Sequence, residues 1–124
     1  MNRVSIIIPT ANNSTRLILT LSSLVFQTYN KLEVIVIGKP SVSDLDNIVI
    51  QFKDKMDIRC LTQKDSSRAE ARNMGIQECN GNIILFVDDD LILVPDFVSN
   101  HVKHHELHDH CIVLGEVRNL FISK

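Results

Sequence analysis

The sequence predicts an α/β protein with a mostly parallel sheet flanked by helices. Short, continuous apolar runs rich in β-branched residues are typical of parallel strands that are covered on both faces. Between these runs, apolar residues recur at helical spacing, and strands that alternate with helices favour parallel pairing through right-handed crossovers. The chain has 124 residues, of which 44% are hydrophobic and 23% charged, which suits one domain with a core, so we predict a single domain over residues 1–124.

The first third of the chain predicts a strand, a helix and a second strand. Residues 4–8 and 32–37 are apolar and β-branched, and both are predicted as central strands, the first of them ended by Pro9. Asn13 or Ser14 is a suitable cap for the helix between the strands. The apolar face of that helix consists of Leu17, Leu21, Leu24 and Val25.

The middle of the chain predicts two further helices with a weaker strand between them. Ser43 with Asp46 is a possible capping pair for a helix whose apolar face consists of Leu45, Ile48, Val49 and Phe52. Residues 58–61 are the weaker strand. Ser67 and Glu70 then form a better capping box for a helix that reaches Cys79 and ends at Asn80-Gly81.

The last third of the chain contains the most apolar strand, residues 83–87, which runs directly into three aspartates. Pro95 suits the first turn of a following helix, on which Phe97, Val98 and Val102 are the apolar residues. Residues 111–114 are predicted as a further strand. The whole order of elements predicts a doubly wound sheet.

Composition and charge argue against one class of partner, and the cysteines indicate the compartment. The net charge of -2 and the pI near 6.2 argue against nucleic acid, which normally requires a basic surface. The three cysteines, Cys60, Cys79 and Cys111, are odd in number and lie in or beside apolar segments, as free thiols do in a reducing compartment. No secretion signal and no membrane-spanning run is found, so we expect a cytoplasmic location.

Three consecutive carboxylates, Asp88-Asp89-Asp90, follow the most apolar strand. Open α/β sheets collect ligands at the carboxyl ends of their strands. Like charges at one strand end repel each other, and a hard divalent cation, which prefers oxygen ligands and bridges to phosphates, is a common reason for such a group. The pattern therefore indicates a site for a metal and a diphosphate, although a solvated acidic turn is the alternative that spacing alone leaves open.

Five segments in the same order together resemble the family 2 glycosyltransferases. They are residues 4–10, residues 20–24 with Gln27 and Tyr29, residues 33–37, residues 71–76 and residues 81–90. The resemblance implies a Rossmann-like GT-A fold and a nucleoside-diphosphate sugar, usually a UDP-sugar, as donor. It also implies a Mn or Mg ion and inversion at the anomeric carbon during transfer to an acceptor, whose identity as a glycan, lipid or small molecule stays unknown.

The resemblance also implies roles for individual residues around the nucleotide. Pro9 and Thr10 match the contact with the nucleotide base, made partly by the backbone. Arg72 and Asn73 match an Arg-Asn pair beside the nucleotide. In this pair Arg72 would contact base or phosphate, whereas Asn73 would contact the nucleotide or brace a loop.

The carboxylates match the DxD motif of the family. Asp88 matches the acid near the ribose and the sugar and is also expected to support the metal. Asp90 matches the last carboxylate of the motif and is the principal metal ligand. Asp89 is the variable middle residue, placed with the others in the nucleotide-sugar site.

Two departures from the family are visible. Where the family has Asp-Asp-Gly-Ser after the second strand, this chain has Gly38-Lys39-Pro40-Ser41. The acid that reads the base is thus replaced by Lys39, which would pair with a phosphate or stay exposed, while Asp44 is an alternative base contact. In addition, no acid matches the family's downstream general base, so the domain is expected to be incomplete and to lack its acceptor-binding part. The acids after the motif are Asp96, Glu106, Asp109 and Glu116.

Alternative functions stay open at this point. A degenerate nucleotide-binding or regulatory module without transfer activity is favoured by Lys39 and by the missing base. A phosphoacceptor receiver domain would need paired acids after the first strand, where this chain has Pro9-Thr10, so this alternative ranks last. Five histidines between His101 and His110 include pairs at i, i+4 spacing, which allow a zinc site, a pH-sensitive surface or an exposed helix end. An unpaired apolar sheet edge would favour a homo-oligomer.

Overall fold

The computed structural model describes residues 2–10, 14–39, 44–64 and 67–107. Strands and helices alternate along this part of the chain, as predicted. The strands are β1 (Val4–Pro9), β2 (Leu32–Gly38), β3 (Asp57–Thr62) and β4 (Ile83–Phe86). The helices are α1 (Ser14–Val25), α2 (Leu45–Ile50), α3 (Arg68–Glu78) and α4 (Phe97–Leu107). In this part of the chain no helix is both long and apolar enough to cross a bilayer.

All pairings among the four strands are parallel, and their order in the sheet is β3-β2-β1-β4. From β1 the chain first extends the sheet in one direction, through β2 and then β3, and afterwards places β4 on the other side of β1. The direction of growth therefore reverses between β1 and β4. The predicted parallel α/β fold is confirmed, and the reversal marks the place where such sheets bind ligands.

Both faces of the sheet are buried, which explains why the strands read as continuous apolar runs. On one face, Ile6 and Val34 belong to a cluster that includes the apolar residues of α1, α2 and α4. On the other face, Ile7 and Ile35 pack with Ala71 of α3. Successive strand residues point to opposite faces, so each apolar residue of β1 and β2 has a covering helix.

The helix ends agree with the predictions in part. The hydroxyl of Ser67 accepts a hydrogen bond of 3.3 Å from the N–H of Glu70, which confirms the predicted cap of α3. Asp44 occupies the N-cap position of α2 without a side-chain capping bond, and Ser43 lies outside the described residues, as do Asn13 and the strand predicted at 111–114. The α4 helix begins at Phe97, so Pro95 precedes this helix and is not in its first turn.

The amino-terminal ends of the strands are stabilised by a buried carboxylate, Glu33, which is 3% exposed. Its Oε2 accepts hydrogen bonds of 2.6 Å from the hydroxyl of Ser5 and from the N–H of Asn80. Burial by itself raises the pKa of this carboxyl, but the two hydrogen bonds and the nearby Arg3 and Arg59 guanidinium groups outweigh burial and lower the pKa. This cluster lies at the edge opposite the carboxyl ends of the strands, so we interpret it as structural.

Candidate functional site

The candidate site is the place between the carboxyl ends of β1 and β4 where an open α/β sheet binds ligands, and it is named the crevice below. The last backbone bond between these strands is donated by the N–H of Val87 to the carbonyl of Ile7, at 3.0 Å. Beyond it, β1 continues into Thr10, and β4 continues into the three consecutive carboxylates at 88–90. The sheet thus places the acids at the reversal point, next to the predicted base contact.

Thr10 and Asp89 are joined directly. The hydroxyl of Thr10 donates a hydrogen bond of 2.7 Å to Oδ2 of Asp89, and the N–H of Thr10 donates one of 2.8 Å to the carbonyl of Ile37. Thr10 is buried and Asp89 is half-buried, whereas Asp88 and Asp90 are exposed. Sequence reasoning placed Thr10 and Asp89 in one site but did not predict this bond, because nothing in a separation of 79 residues indicates it.

The carboxylates at this edge suit a cation that is shared with a ligand. Asp88 and Asp90 offer only oxygen donors, the type that Mg and Mn prefer. Over the described ranges, no group of three or more His, Cys, Asp or Glu side chains could hold a metal by itself. A cation held by one or two carboxylates and completed by substrate phosphates requires no such cage, so the donor set fits a Mg-type ion with a diphosphate.

Arg72 lies beside β4. Its guanidinium carbon is 5.8 Å from the centre of the Phe86 ring, a cation–π distance. Phe86 ends β4, two residues before Asp88, and its ring is 46% exposed. The aromatic ring therefore holds a positive charge near the strand end that leads into the carboxylates. The contact of Arg72 with base or phosphate stays a prediction.

Asn73 lines a cavity that lies away from the carboxyl ends of β1 and β4. Successive helical residues differ by about 100° in direction, and Asn73 points toward the residues that follow β3, at the opposite edge of the sheet from Phe86. There it lines an open cavity of about 360 Å³ together with Gln63, Lys64, Glu70, Met74 and Gln77. This location suits the alternative in which Asn73 braces a loop.

Lys39 lies at the carboxyl ends of the strands, as Thr10 does. It follows Gly38, the last residue of β2, and is half-buried. A methyl group added at Gly38 would approach the Thr10 side chain to 3.4 Å, so the two strand ends are in close contact. The replacement of the family's acid by Lys39 is thus next to the crevice, whereas Asp44, the alternative base contact, is exposed at the start of α2.

Gln27 has a structural role that the sequence did not reveal. Its side-chain amide donates a hydrogen bond of 2.8 Å to the carbonyl of Val94 and accepts one of 3.0 Å from the N–H of Val98. The N–H of Thr28 also donates to the carbonyl of Pro95, at 2.9 Å. These bonds attach the segment that follows the carboxylates to the end of α1. The resemblance to the family includes Gln27 among the motif residues but assigns no function to it.

The described histidines do not form a zinc site. His101 is buried, with its ring centroid 4.6 Å from that of Phe97, and within the described ranges it belongs to no metal-binding group. Burial lowers the pKa of His101, and the neighbouring His105 and His104 lower it further. Its Nδ1 has no hydrogen-bond partner among the described residues. His108 lies outside the described residues, as do His110, Asp109 and Glu116.

The fold and the site define a class before any comparison is made. A parallel sheet with a crevice at the reversal point, bordered by carboxylates and an arginine, is typical of α/β proteins that bind phosphate-containing ligands at the carboxyl ends of their strands. Comparison with known families agrees with this class. Residues 5–123 match Glycosyl transferase family 2, and the chain belongs to this family.

A relative of known type supports the assignment. Over 115 residues the chain is 36% identical to the hyaluronan synthase of Pasteurella multocida, which covers 90% of this chain. The chain spans only 12% of the length of that synthase. A sequence likeness of this extent places the chain within one region of a much longer relative.

Solved structures confirm the GT-A, Rossmann-like fold. The S. aureus TarS fragment in complex with UDP-GlcNAc superposes with a TM-score of 0.77 at 24% identity, over 86% of this chain and 32% of that one. The mannosyltransferase PcManGT from Pyrobaculum calidifontis, in complex with GDP-Man and Mn2+, also gives 0.77 at 24% identity, over 84% of this chain and 32% of that one. At this identity the likeness shows the fold.

Proposed function

We propose that residues 1–124 form the nucleotide-sugar-binding domain of a glycosyltransferase that transfers a sugar with inversion to an acceptor hydroxyl. The observation that carries this proposal is the placement of Asp88-Asp89-Asp90 at the reversal point of the sheet, with Asp89 bonded to Thr10. Family membership supports the reaction class. The partly buried thiols of Cys60 and Cys79, which are free, suit a reducing compartment such as the cytoplasm.

In this proposal, each side of the crevice binds a different part of the donor. Pro9 and Thr10 contact the base, partly through the backbone, and Arg72 contributes its positive charge to the base or the phosphates. Asp88 lies on the side of the ribose and the sugar. Asn73 belongs to the donor site only indirectly, by bracing the loop that follows β3.

Asp90, supported by Asp88, is the proposed holder of a Mn or Mg ion. When bound, such an ion neutralises charge on the diphosphate and assists its departure from the sugar. Both carboxylates are exposed, so neither needs to be uncovered before the ion enters. The solved PcManGT complex contains Mn2+, which makes this ion the first to test.

The nucleotide base is proposed to be uracil. Because Lys39 replaces the acid that reads the base in the family, the preference for one base over another has to be measured. The TarS complex contains UDP-GlcNAc and the PcManGT complex contains GDP-Man, so the fold accommodates either nucleotide. With a lysine in place of the family's acid, the base loses a hydrogen-bond acceptor. We therefore expect weak discrimination among UDP, GDP and TDP.

A nucleotide-binding module without transfer activity is the second candidate, and the specific observation that favours it is Lys39. Inversion requires a base opposite the departing diphosphate. Of the acids that follow the carboxylates, Asp96 is exposed, and Glu106 accepts a hydrogen bond from Asn2 at 3.4 Å. Neither is assigned as the base. Donor binding without sugar transfer would favour this second candidate.

The decisive experiment is a calorimetric titration of Mn2+ and UDP, each in the presence and absence of the other. A shared ion must strengthen both binding events by the same factor. Asp90→Ala should abolish this mutual strengthening, whereas Asp54→Asn, a change at an exposed acid whose partner is Lys55, should preserve it. Metal-dependent UDP binding that is unchanged in Asp90→Ala would refute the metal assignment. Repeating the titration with GDP and TDP measures base discrimination.

A further inference from the structure

The carboxylate turn at 88–90 is attached to the end of β1 through the side chain of Asp89. Backbone pairing between β1 and β4 ends where Val87 bonds to Ile7. Beyond that pairing, the Thr10–Asp89 hydrogen bond of 2.7 Å links the two strand ends. A short bond to an ionised acceptor is among the stronger hydrogen bonds in proteins, so this link restrains the turn beyond the end of the ladder.

The three acids differ in how far their side chains are buried. Asp89 is half-buried, with Oδ2 engaged by Thr10, whereas Asp88 and Asp90 are exposed. Thr10 is itself held by its N–H bond to Ile37 and is 7% exposed. The anchor is therefore rigid, and the middle aspartate faces the protein while its two neighbours face solvent.

We propose that Asp89 is a positioning residue: by accepting the Thr10 hydrogen bond, it fixes the turn in which Asp88 and Asp90 present their carboxylates to the cation. This inference rests on the proposed metal site. A turn that is already ordered loses less conformational freedom when the ion binds, so the ion is held more tightly. Asp89 thus acts through its neighbours and is not itself assigned as a ligand.

The test measures Mn2+ alone, as the free ion seen by electron paramagnetic resonance, in titrations of the 124-residue chain. Thr10→Val removes the donor without changing charge, and Asp89→Ala removes the acceptor. Each should weaken Mn2+ binding by roughly 3- to 30-fold. The double variant should be no weaker than Asp89→Ala, because both changes break the same bond. Thr10→Ser, which keeps the hydroxyl, should recover most of the affinity lost in Thr10→Val.

A matched control is Thr20→Val. Thr20 is fully buried, and its hydroxyl donates a hydrogen bond of 3.1 Å to the carbonyl of Arg16 within α1. This control loses an equivalent hydroxyl far from the turn and should bind Mn2+ like the natural chain. Thermal unfolding of each variant shows whether a change in affinity follows from general destabilisation, in which case the control would show it as well.

Three outcomes separate the possibilities. Normal Mn2+ affinity in Thr10→Val, with a loss in Asp89→Ala, would overturn the positioning role and make Asp89 a direct contributor. Independent, additive losses in the double variant would overturn it as well. If Asp90→Ala does not alter Mn2+ binding, the metal site itself is wrong and the positioning role fails with it, a result distinguishable from the first two.

Discussion

Gly81→Ala should be one of the most destabilising small substitutions in this chain. Gly81 lies just before β4, against the start of β1. An added Cβ would be 2.5 Å from the hydroxyl of Ser5, 2.7 Å from its backbone nitrogen and 2.8 Å from the carbonyl of Arg3. Two of these three atoms are backbone atoms, one in β1 and one in the residue that precedes it, so a side-chain rotation cannot relieve the contact.

The magnitude follows from what must move. Overpacking costs about 1–3 kcal/mol. Displacing Gly81 also weakens its N–H bond to Ser5, which is 2.8 Å long, and the loss of such a bond costs about 1 kcal/mol. The stiffer unfolded chain of the alanine variant offsets about 0.4–1 kcal/mol. The net loss is about 1–3.5 kcal/mol, a large part of the stability of a typical domain.

Urea unfolding followed by far-UV circular dichroism measures this loss, since the chain has no tryptophan and one tyrosine. Gly75→Ala is the matched control. There the three atoms nearest to the added Cβ all belong to the Ile7 side chain, with 2.6 Å as the shortest distance, and alanine gains about 1 kcal/mol of helix propensity inside α3. Gly81→Ala should therefore lose more stability than Gly75→Ala. An equal or reversed order would refute the reasoning.

Two further predictions concern buried titratable groups. Glu33→Gln should cost about 1.5–3 kcal/mol at pH 7, because it removes the charge from a hydrogen-bonded carboxylate. Since the folded pKa of Glu33 is lowered, its contribution is present above the unfolded pKa near 4.5 and is lost as pH falls through the folded value. The variant should show a flatter acid limb in pH-dependent thermal unfolding, and an unchanged limb would contradict the assignment. His101→Leu should preserve or raise stability, because it removes a buried nitrogen without a described partner. The folded pKa of His101 is lowered below 6.5, so the natural chain should lose stability as pH falls below 6.5 through the folded value. The leucine variant should lose less stability over the same pH range. Equal losses of stability in thermal melts would disprove the role of His101.

The order of the elements could be read from the sequence because it depends on local chemistry. The apolar run at residues 4–8 became β1, Val4–Pro9, and Ser67 caps α3 as its spacing with Glu70 predicts. The acids at 88–90 were correctly placed after a strand. Runs of β-branched residues and caps act within a few neighbouring residues, so the chain itself contains the information.

Contacts between distant segments were decided by the tertiary structure. The sequence could not show that Asp89 bonds to Thr10, that Arg72 packs on Phe86, or that Asn73 lines a separate cavity. It also could not show that Glu33, which appears as one charge in an apolar strand, is buried.

Local patterns state that a segment is a strand, but they do not state which strand lies beside it. The order β3-β2-β1-β4 results from burying both faces of the two central strands, β1 and β2, at once. That order brings residues separated by 79 positions within hydrogen-bond distance. The sequence by itself therefore determined the fold class and the acidic strand end, and only the packed sheet decided which side chains meet there, because burial is a property of the whole core.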